Sequence, residues 1–166
     1  MNKQLIGLGR QSGVVLVISL VMLLLLTLIG ITGMNSTTLE EKMAGNMRDR
    51  NIAFQAAEST LLEAEKFVLT NPTTYKTKPG LLNINDAEPD YFASNTWTKK
   101  NSLSTQNNFG KKFGLTEDPR YIIKKIALSP ANGTSGPKMI FRITARAVGK
   151  SLGTQVILQE VYGLPI

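Results

Sequence analysis

An unbroken apolar run dominates the N-terminal part of the chain. It begins at Val14 and keeps its apolar character to Ile31. No charged residue occurs between Arg10 and Glu40. A helix through this run exceeds the about 20 residues that cross a bilayer. Because Lys3 and Arg10 precede the run, the positive-inside rule places the N-terminus in the cytoplasm and the rest of the chain outside it.

Beyond this run the pattern becomes amphipathic, with apolar residues recurring near a 3.6-residue period. We expect these residues to share one helix face and to pack on a sheet. The helix is expected to end near Asn71, because Pro72 disfavours helix in the residue before it. A helix from Val14 to Thr70 would be about 85 Å long, so its second half projects beyond a bilayer. The predicted stripe consists of Leu39, Met43, Met47, Phe54, Ala57, Leu61, Ala64 and Val68.

The C-terminal third predicts an antiparallel sheet. Turn-type residues at 130–133 and 149–153 separate three β-rich segments, of which the last two are close enough to form a hairpin. In the middle segment Arg142, Thr144 and Arg146 alternate with apolar residues, which predicts one buried and one solvent-exposed face. Helix followed by sheet gives an α+β fold, with the long helix packed on the sheet. The predicted strands are residues 121–128, 139–148 and 155–162.

Two glycines, Gly30 and Gly33, lie within the apolar run. Each lowers helix propensity by about 1 kcal/mol relative to alanine, so the helix could bend or melt at this point. Small residues also permit close packing of one helix on another, and the two interpretations are compatible.

Charge and composition argue against an enzyme. The net charge of +7 is uneven, since residues 40–66 carry −2 and residues 99–150 carry +9. The chain has no cysteine, which leaves the core to apolar packing, and no histidine, the usual general base near neutral pH. We find no nucleophile beside a base, no metal-ligand cluster and no glycine-rich phosphate loop. No cofactor is predicted.

Residues 72–120 are predicted to form loops with short elements. One acidic pattern in this segment is a candidate metal site. Asp86, Glu88 and Asp90 alternate as in a calcium loop. Tyr91 stands where the EF-hand requires glycine and Trp97 where it requires glutamate, so the template fails. We predict a solvated acidic turn, and for Trp97 a place in the core or at its rim.

Three hypotheses account for the apolar run. A cleaved secretory signal would have a shorter apolar region and a small-x-small site, which residues 31–34 match poorly. A plain membrane anchor needs only the length. The third hypothesis explains Gly13, because a short basic leader that ends in glycine directly before the run resembles the type IV prepilin signal.

A charged segment makes the resemblance specific. Residues 38–50, TLEEKMAGNMRDR, and residues 53–58, AFQAAE, resemble the N-terminal region of PilX-type minor pilins of type IV pilus assembly. The resemblance covers residues 9–66. The C-terminal part is similar to these proteins only in its general character, as a small β-rich domain.

The resemblance implies a pilin-like division of the chain. It implies a leader, cleavage after Gly13 by prepilin peptidase and N-methylation of Val14, where most pilins have phenylalanine. The mature chain's fifth residue is Ile18, where most pilins carry glutamate. Candidate partner-contacting residues are Glu40, Glu41, Arg48 and Arg50. The implied segments are the leader 1–13, the transmembrane and filament-core helix 14–34, the amphipathic helix 35–70 and the β-rich domain 71–166.

The implied function is assembly. Before assembly, pilins reside in the inner membrane with the C-terminal domain in the periplasm. They then enter a cell-surface filament used in processes such as twitching motility. The implied partners are prepilin peptidase, the other minor pilins and the major pilin. A tip adhesin is a further candidate partner. In most pilins the glutamate pairs with a neighbour's N-terminal amine, whose burial costs several kcal/mol when unpaired. Ile18 therefore favours a place at the pilus tip, although a rare subunit could also simply tolerate it.

Two other functions stay open at this point. The basic segment could bind nucleic acid at a pilus tip, but no recognition motif accompanies it. Its bases include the pairs Lys99–Lys100, Lys111–Lys112 and Lys124–Lys125, plus Arg142 and Arg146. It could instead meet acidic surfaces of other minor pilins. The remaining alternative is a membrane-anchored periplasmic binding protein unrelated to filaments, which predicts no cleavage after Gly13.

Overall fold

The computed structural model describes residues 12–71, 78–105, 109–130 and 136–165 of the chain. Contacts divide the chain into two compact units, an N-terminal unit of residues 1–45 and a C-terminal unit of residues 46–166. Each unit is therefore described by itself. Most of the predicted leader, residues 1–11, lies outside the described residues.

One continuous helix, α1, spans Ser12–Thr70. It ends one residue before the predicted position, and the Asn71 N–H closes the last turn on the Phe67 carbonyl at 3.0 Å. The three predicted strands are confirmed to within three residues at either end. The elements after α1 are β1 (Leu81–Leu82), a 3-10 helix (Ser94–Trp97), β2 (Leu103–Ser104), α2 (Phe109–Phe113), β3 (Arg120–Ser129), β4 (Lys138–Val148) and β5 (Gln155–Pro165).

In the N-terminal unit, the part of α1 between residues 13 and 34 is uncharged and largely apolar on every side. All side chains described between residues 13 and 45 are exposed, and the most apolar window of the helix has a mean hydropathy of 3.2. By length and composition this helix can cross a membrane. The Thr32 hydroxyl donates to the Leu28 carbonyl at 2.7 Å, so this polar group is satisfied within the helix. The helix continues through Gly30 and Gly33.

The C-terminal unit is built on a five-stranded sheet. β1, β3, β4 and β5 lie side by side, and β2 also pairs with β3. The β3–β4 and β4–β5 pairs are antiparallel, which confirms the α+β fold and the predicted hairpin. β1 pairs in parallel with β3, Leu81 opposite Ile123, so the sheet is mixed where we predicted antiparallel pairing throughout. The chain between these two strands, residues 83–119, is long enough for a parallel crossover.

The core lies between this sheet and residues 53–68 of α1. Phe141 and Ile143 of β4 are fully buried and pack with Ala64 and Val68 of the helix. A smaller cluster joins Ala56, Ala57 and Ala147. The buried helix side chains are therefore mostly alanines.

The predicted apolar stripe of α1 is correct only in its C-terminal half. Ala57, Ala64 and Val68 are buried, and Leu61 packs at the border of the core. The prediction gave most weight to large apolar residues, whereas small residues form the surface that meets the sheet. Four of the large ones are 42–69% exposed: Leu39, Met43, Met47 and Phe54.

The prediction of a solvent-exposed second sheet face is wrong. Thr144 in the middle of that face is only 1% exposed, because residues 83–98 lie over it. We call this segment the outer-face loop. Trp97 anchors the loop, with 5% exposure and a hydrogen bond from its indole N–H to the Tyr91 carbonyl at 2.8 Å. The prediction that Trp97 lies in or beside the core is confirmed.

Candidate functional site

The residues predicted for leader processing lie at the start of α1. Gly13 and Val14 are helical, and Val14 is 63% exposed. A Cβ atom at Gly13 would meet no atom within 4 Å. Ile18, one turn further on, is 54% exposed and apolar. This part of the chain offers a packing surface and no group suited to acid–base chemistry.

The four charged residues proposed for partner contacts are all exposed. Glu40 and Glu41 belong to the N-terminal unit, and Arg48 and Arg50 to the C-terminal unit. Among the residues that the structure describes, none of the four forms an ion pair. Their charges are accordingly available to other molecules.

Asp49, between the two arginines, is a structural residue that sequence reasoning missed. Its carboxylate accepts hydrogen bonds from the N–H groups of Lys150 at 2.6 Å and Ser151 at 3.2 Å. The Lys150 hydrogen bond, partly opposed by burial, lowers the pKa of Asp49 below its ordinary value of 3.8. Gly149 leaves room for the carboxylate, since a Cβ there would lie 2.5 Å from Oδ1. We call Asp49 with the turn 149–151 the Asp49 clasp.

Glu88 of the outer-face loop forms the main charged cluster of the C-terminal unit. Its carboxylate pairs with Lys124 Nζ at 2.7 Å and with an Arg142 guanidinium nitrogen at 3.0 Å. The Tyr91 hydroxyl donates to Oε1 at 2.7 Å. Asp86, Glu88 and Asp90 are exposed, as a solvated acidic turn requires, but Glu88 is also paired and fixes the loop on the basic face of the sheet.

The pKa values in this cluster follow from the contacts. Burial would raise the pKa of Glu88, but hydrogen bonds from Lys124, Tyr91 and Arg142 outweigh burial and lower it from 4.5 to about 2. Burial and the neighbouring Glu88 carboxylate raise the pKa of Tyr91 to about 12. Near neutral pH the cluster thus contains one carboxylate, two cations and a neutral phenol.

These ion pairs occupy part of the positive charge of the basic C-terminal segment. Lys124 and Arg142 are paired with Glu88, and Arg146 contacts Glu117 at 3.3 Å, so three residues of the nucleic-acid hypothesis serve contacts within the unit. The lysine pairs at 99–100 and 111–112 are exposed. In the described ranges, no three acidic side chains converge as a metal site would require.

Comparison with protein families accounts for nearly the whole chain. Residues 12–61 match the family model described as PilX N-terminal, and residues 66–164 match the one described as type IV pilus assembly protein PilX C-term. The second match covers the sheet, for which the sequence alone showed only a general similarity to these proteins. No curated protein and no solved structure matches the chain. The chain therefore belongs to the PilX family and is a minor pilin of the type IV pilus assembly machinery, not an enzyme.

Proposed function

We propose that this minor pilin is incorporated at or near the pilus tip and helps to initiate assembly with other minor pilins. The observation that carries the proposal is Ile18. A subunit inside the filament places its fifth mature residue near the N-terminal amine of a neighbour, and a buried unpaired amine costs several kcal/mol. A subunit with isoleucine there is best placed at the end of the filament, where it faces no such amine.

The proposal places α1 in the inner membrane before assembly and the C-terminal unit in the periplasm. The apolar N-terminal part of α1 and the basic residues Lys3 and Arg10 support this orientation. The exposed Glu40, Glu41, Arg48 and Arg50 form no ion pair with any described residue and supply charges for contacts with other pilins. Each would gain a partner of opposite sign on assembly.

Leader processing gives the first test. In cells with prepilin peptidase we expect a mature chain that begins at methylated Val14, because the peptidase cuts after Gly13. Intact mass and N-terminal sequencing of the protein from cells with and without the peptidase measure this. An uncleaved chain in both strains would contradict the pilin assignment of Gly13 and leave α1 as a simple anchor.

Substitution Ile18→Glu tests the tip position separately. The new carboxylate can pair with a neighbour's amine, so we expect the protein to enter the filament shaft and the number of pili per cell to fall. Immunogold labelling of pili and co-purification with other minor pilins measure both effects. Ile18→Leu, which keeps the apolar character, is the matched control. Unchanged piliation and complex formation in the Ile18→Glu strain would remove the main support for the tip.

A further inference from the structure

We propose that the free edge of β5, together with a groove beside it, binds an extended segment of a different protein by strand addition. The segment would extend the sheet by main-chain hydrogen bonds and place one apolar side chain in the groove. Recognition of this kind combines backbone pairing for affinity with side-chain pockets for specificity. The inference rests on the C-terminal unit alone and does not require cleavage after Gly13.

The edge of β5 is long and open. β5 pairs with β4 along all eleven of its residues, Gln155–Pro165, and is the last strand in the order of the sheet. No described strand pairs with its other side. None of its residues is buried, in contrast to β4, where most are. The second row of main-chain N–H and C=O groups is thus available to another chain.

β5 has only one of the usual protections of an edge strand, the inward-pointing charge of Glu160. Natural edges carry lysines, bulges or prolines that prevent pairing. The sequence of β5, QVILQEVYGLP, contains no basic residue, and its proline is the last residue of the strand. Its single charge, Glu160, lies opposite Ile143 of the core, on the helix side. The outer side therefore presents a neutral surface with Ile157 and Val161.

The groove lies on the same outer side. It has a volume of about 400 Å³ and lies between the outer-face loop and β5. Phe92 forms part of its wall while being 87% exposed, and Gln159 is held by a hydrogen bond to Thr144 at 3.0 Å. None of the described residues that line it is charged, which favours an apolar or neutral side chain as the occupant. The lining residues are Tyr91, Phe92, Thr144, Gln155, Ile157 and Gln159.

The charge of Glu160 argues against a second copy of this chain as the occupant. Residue 160 is the midpoint of β5, so two β5 strands paired over their full length would place the two Glu160 residues opposite each other. Like charges directly opposite in a sheet are destabilising. A segment of another protein, apolar at alternate positions and uncharged opposite Glu160, avoids this repulsion.

Site-specific photo-crosslinking in the native cells tests the proposal. The photoreactive residue p-benzoylphenylalanine is introduced at Gln159 or Val161 of the full chain, and at Leu152, a 68% exposed residue of the preceding turn, as control. Mass spectrometry locates the crosslinked residues. We expect adducts from positions 159 and 161 on one segment of one partner, about two residues apart, as strand pairing requires, and none on that segment from position 152.

A charge substitution provides a second test of the proposal. Val161→Lys is expected to lower the yield of the adduct at position 159 about fivefold or more, because lysine on an edge opposes strand pairing. Leu152→Lys adds the same charge outside the edge and is expected to leave the yield unchanged. Adducts to a second copy of this chain, adducts without a two-residue progression, or no adduct at either position would each overturn the proposal. The mass of the same purified protein reports leader cleavage independently.

Discussion

Gly149→Ala is expected to lower the free energy of unfolding of the C-terminal unit by about 2–3 kcal/mol, because it breaks the Asp49 clasp. The new Cβ atom would lie 2.5 Å from Asp49 Oδ1 and 2.8 Å from Cγ and Oδ2, closer than any real Cβ contact. The carboxylate must move away and lose the hydrogen bonds from Lys150 and Ser151. Bonds to a charged group are worth about 1.5–3 kcal/mol each, and solvent screening at this exposed site lowers the expected loss for the pair to about 2–3 kcal/mol. Urea unfolding of the detergent-solubilised full chain, followed by Trp97 fluorescence, measures the loss.

A double-mutant cycle separates this mechanism from a general defect of the turn. In an Asp49→Ala background the carboxylate is absent, so adding Gly149→Ala is expected to cost less than about 0.5 kcal/mol. Gly153→Ala, in the same turn, is the matched control, since its Cβ would meet only Ser151 Oγ at 3.7 Å. Equal costs of Gly149→Ala in both backgrounds would show that the clasp is not the cause.

Glu88→Gln is expected to destabilise the same unit by about 1–2 kcal/mol near neutral pH. The amide cannot neutralise Lys124, whose side chain is only 10% exposed, or Arg142. The figure is modest because Glu88 is itself 39% exposed and solvent screens its pairs. Trp97, on the same loop, reports the change as a red shift of its emission. Glu58→Gln, at an exposed position of α1, removes one carboxylate elsewhere and is expected to change stability by less than about 0.5 kcal/mol.

The pH dependence distinguishes the ion cluster from packing of the loop. Because the folded-state pKa of Glu88 is lowered, its contribution is fully present above the ordinary pKa of 4.5 and is lost as pH falls toward about 2. We expect the stability difference between the native protein and Glu88→Gln to shrink over this window. A constant difference from pH 6 to pH 2.5 would exclude the ion pairs as its source.

Local patterns were sufficient for the long helix, the three long strands and the family. The alternation of residues in β4 and the turn residues at 149–153 predict a hairpin that the structure contains, because both signals depend on neighbours in sequence. The charged segment after the apolar run identified a PilX-type chain, which the matches over residues 12–61 and 66–164 bear out. The apolar run itself predicted a helix, and α1 covers it completely.

Such local patterns could not predict contacts between residues that are far apart in the sequence. Glu88 meets Lys124 and Arg142 across 36 and 54 residues, so the alternation in β4 could not show that the outer face is covered. Asp49 reaches Lys150 across 101 residues. The prediction of the helix face was wrong in its N-terminal half for another reason. Hydrophobic periodicity favours large residues such as Phe54, which is 42% exposed, whereas the neighbouring Ala53 is fully buried.

The Asp49 clasp also determines how the C-terminal unit responds to mechanical tension. A pull transmitted along α1 enters this unit at Asn46 and reaches Asp49 before any of the alanines that contact the sheet. Two hydrogen bonds from one turn, at 2.6 Å and 3.2 Å, hold the Asp49 carboxylate and resist its displacement. We therefore expect the clasp to break before the core around Phe141 when the unit is pulled through α1, because it lies nearer to Asn46 and rests on two hydrogen bonds.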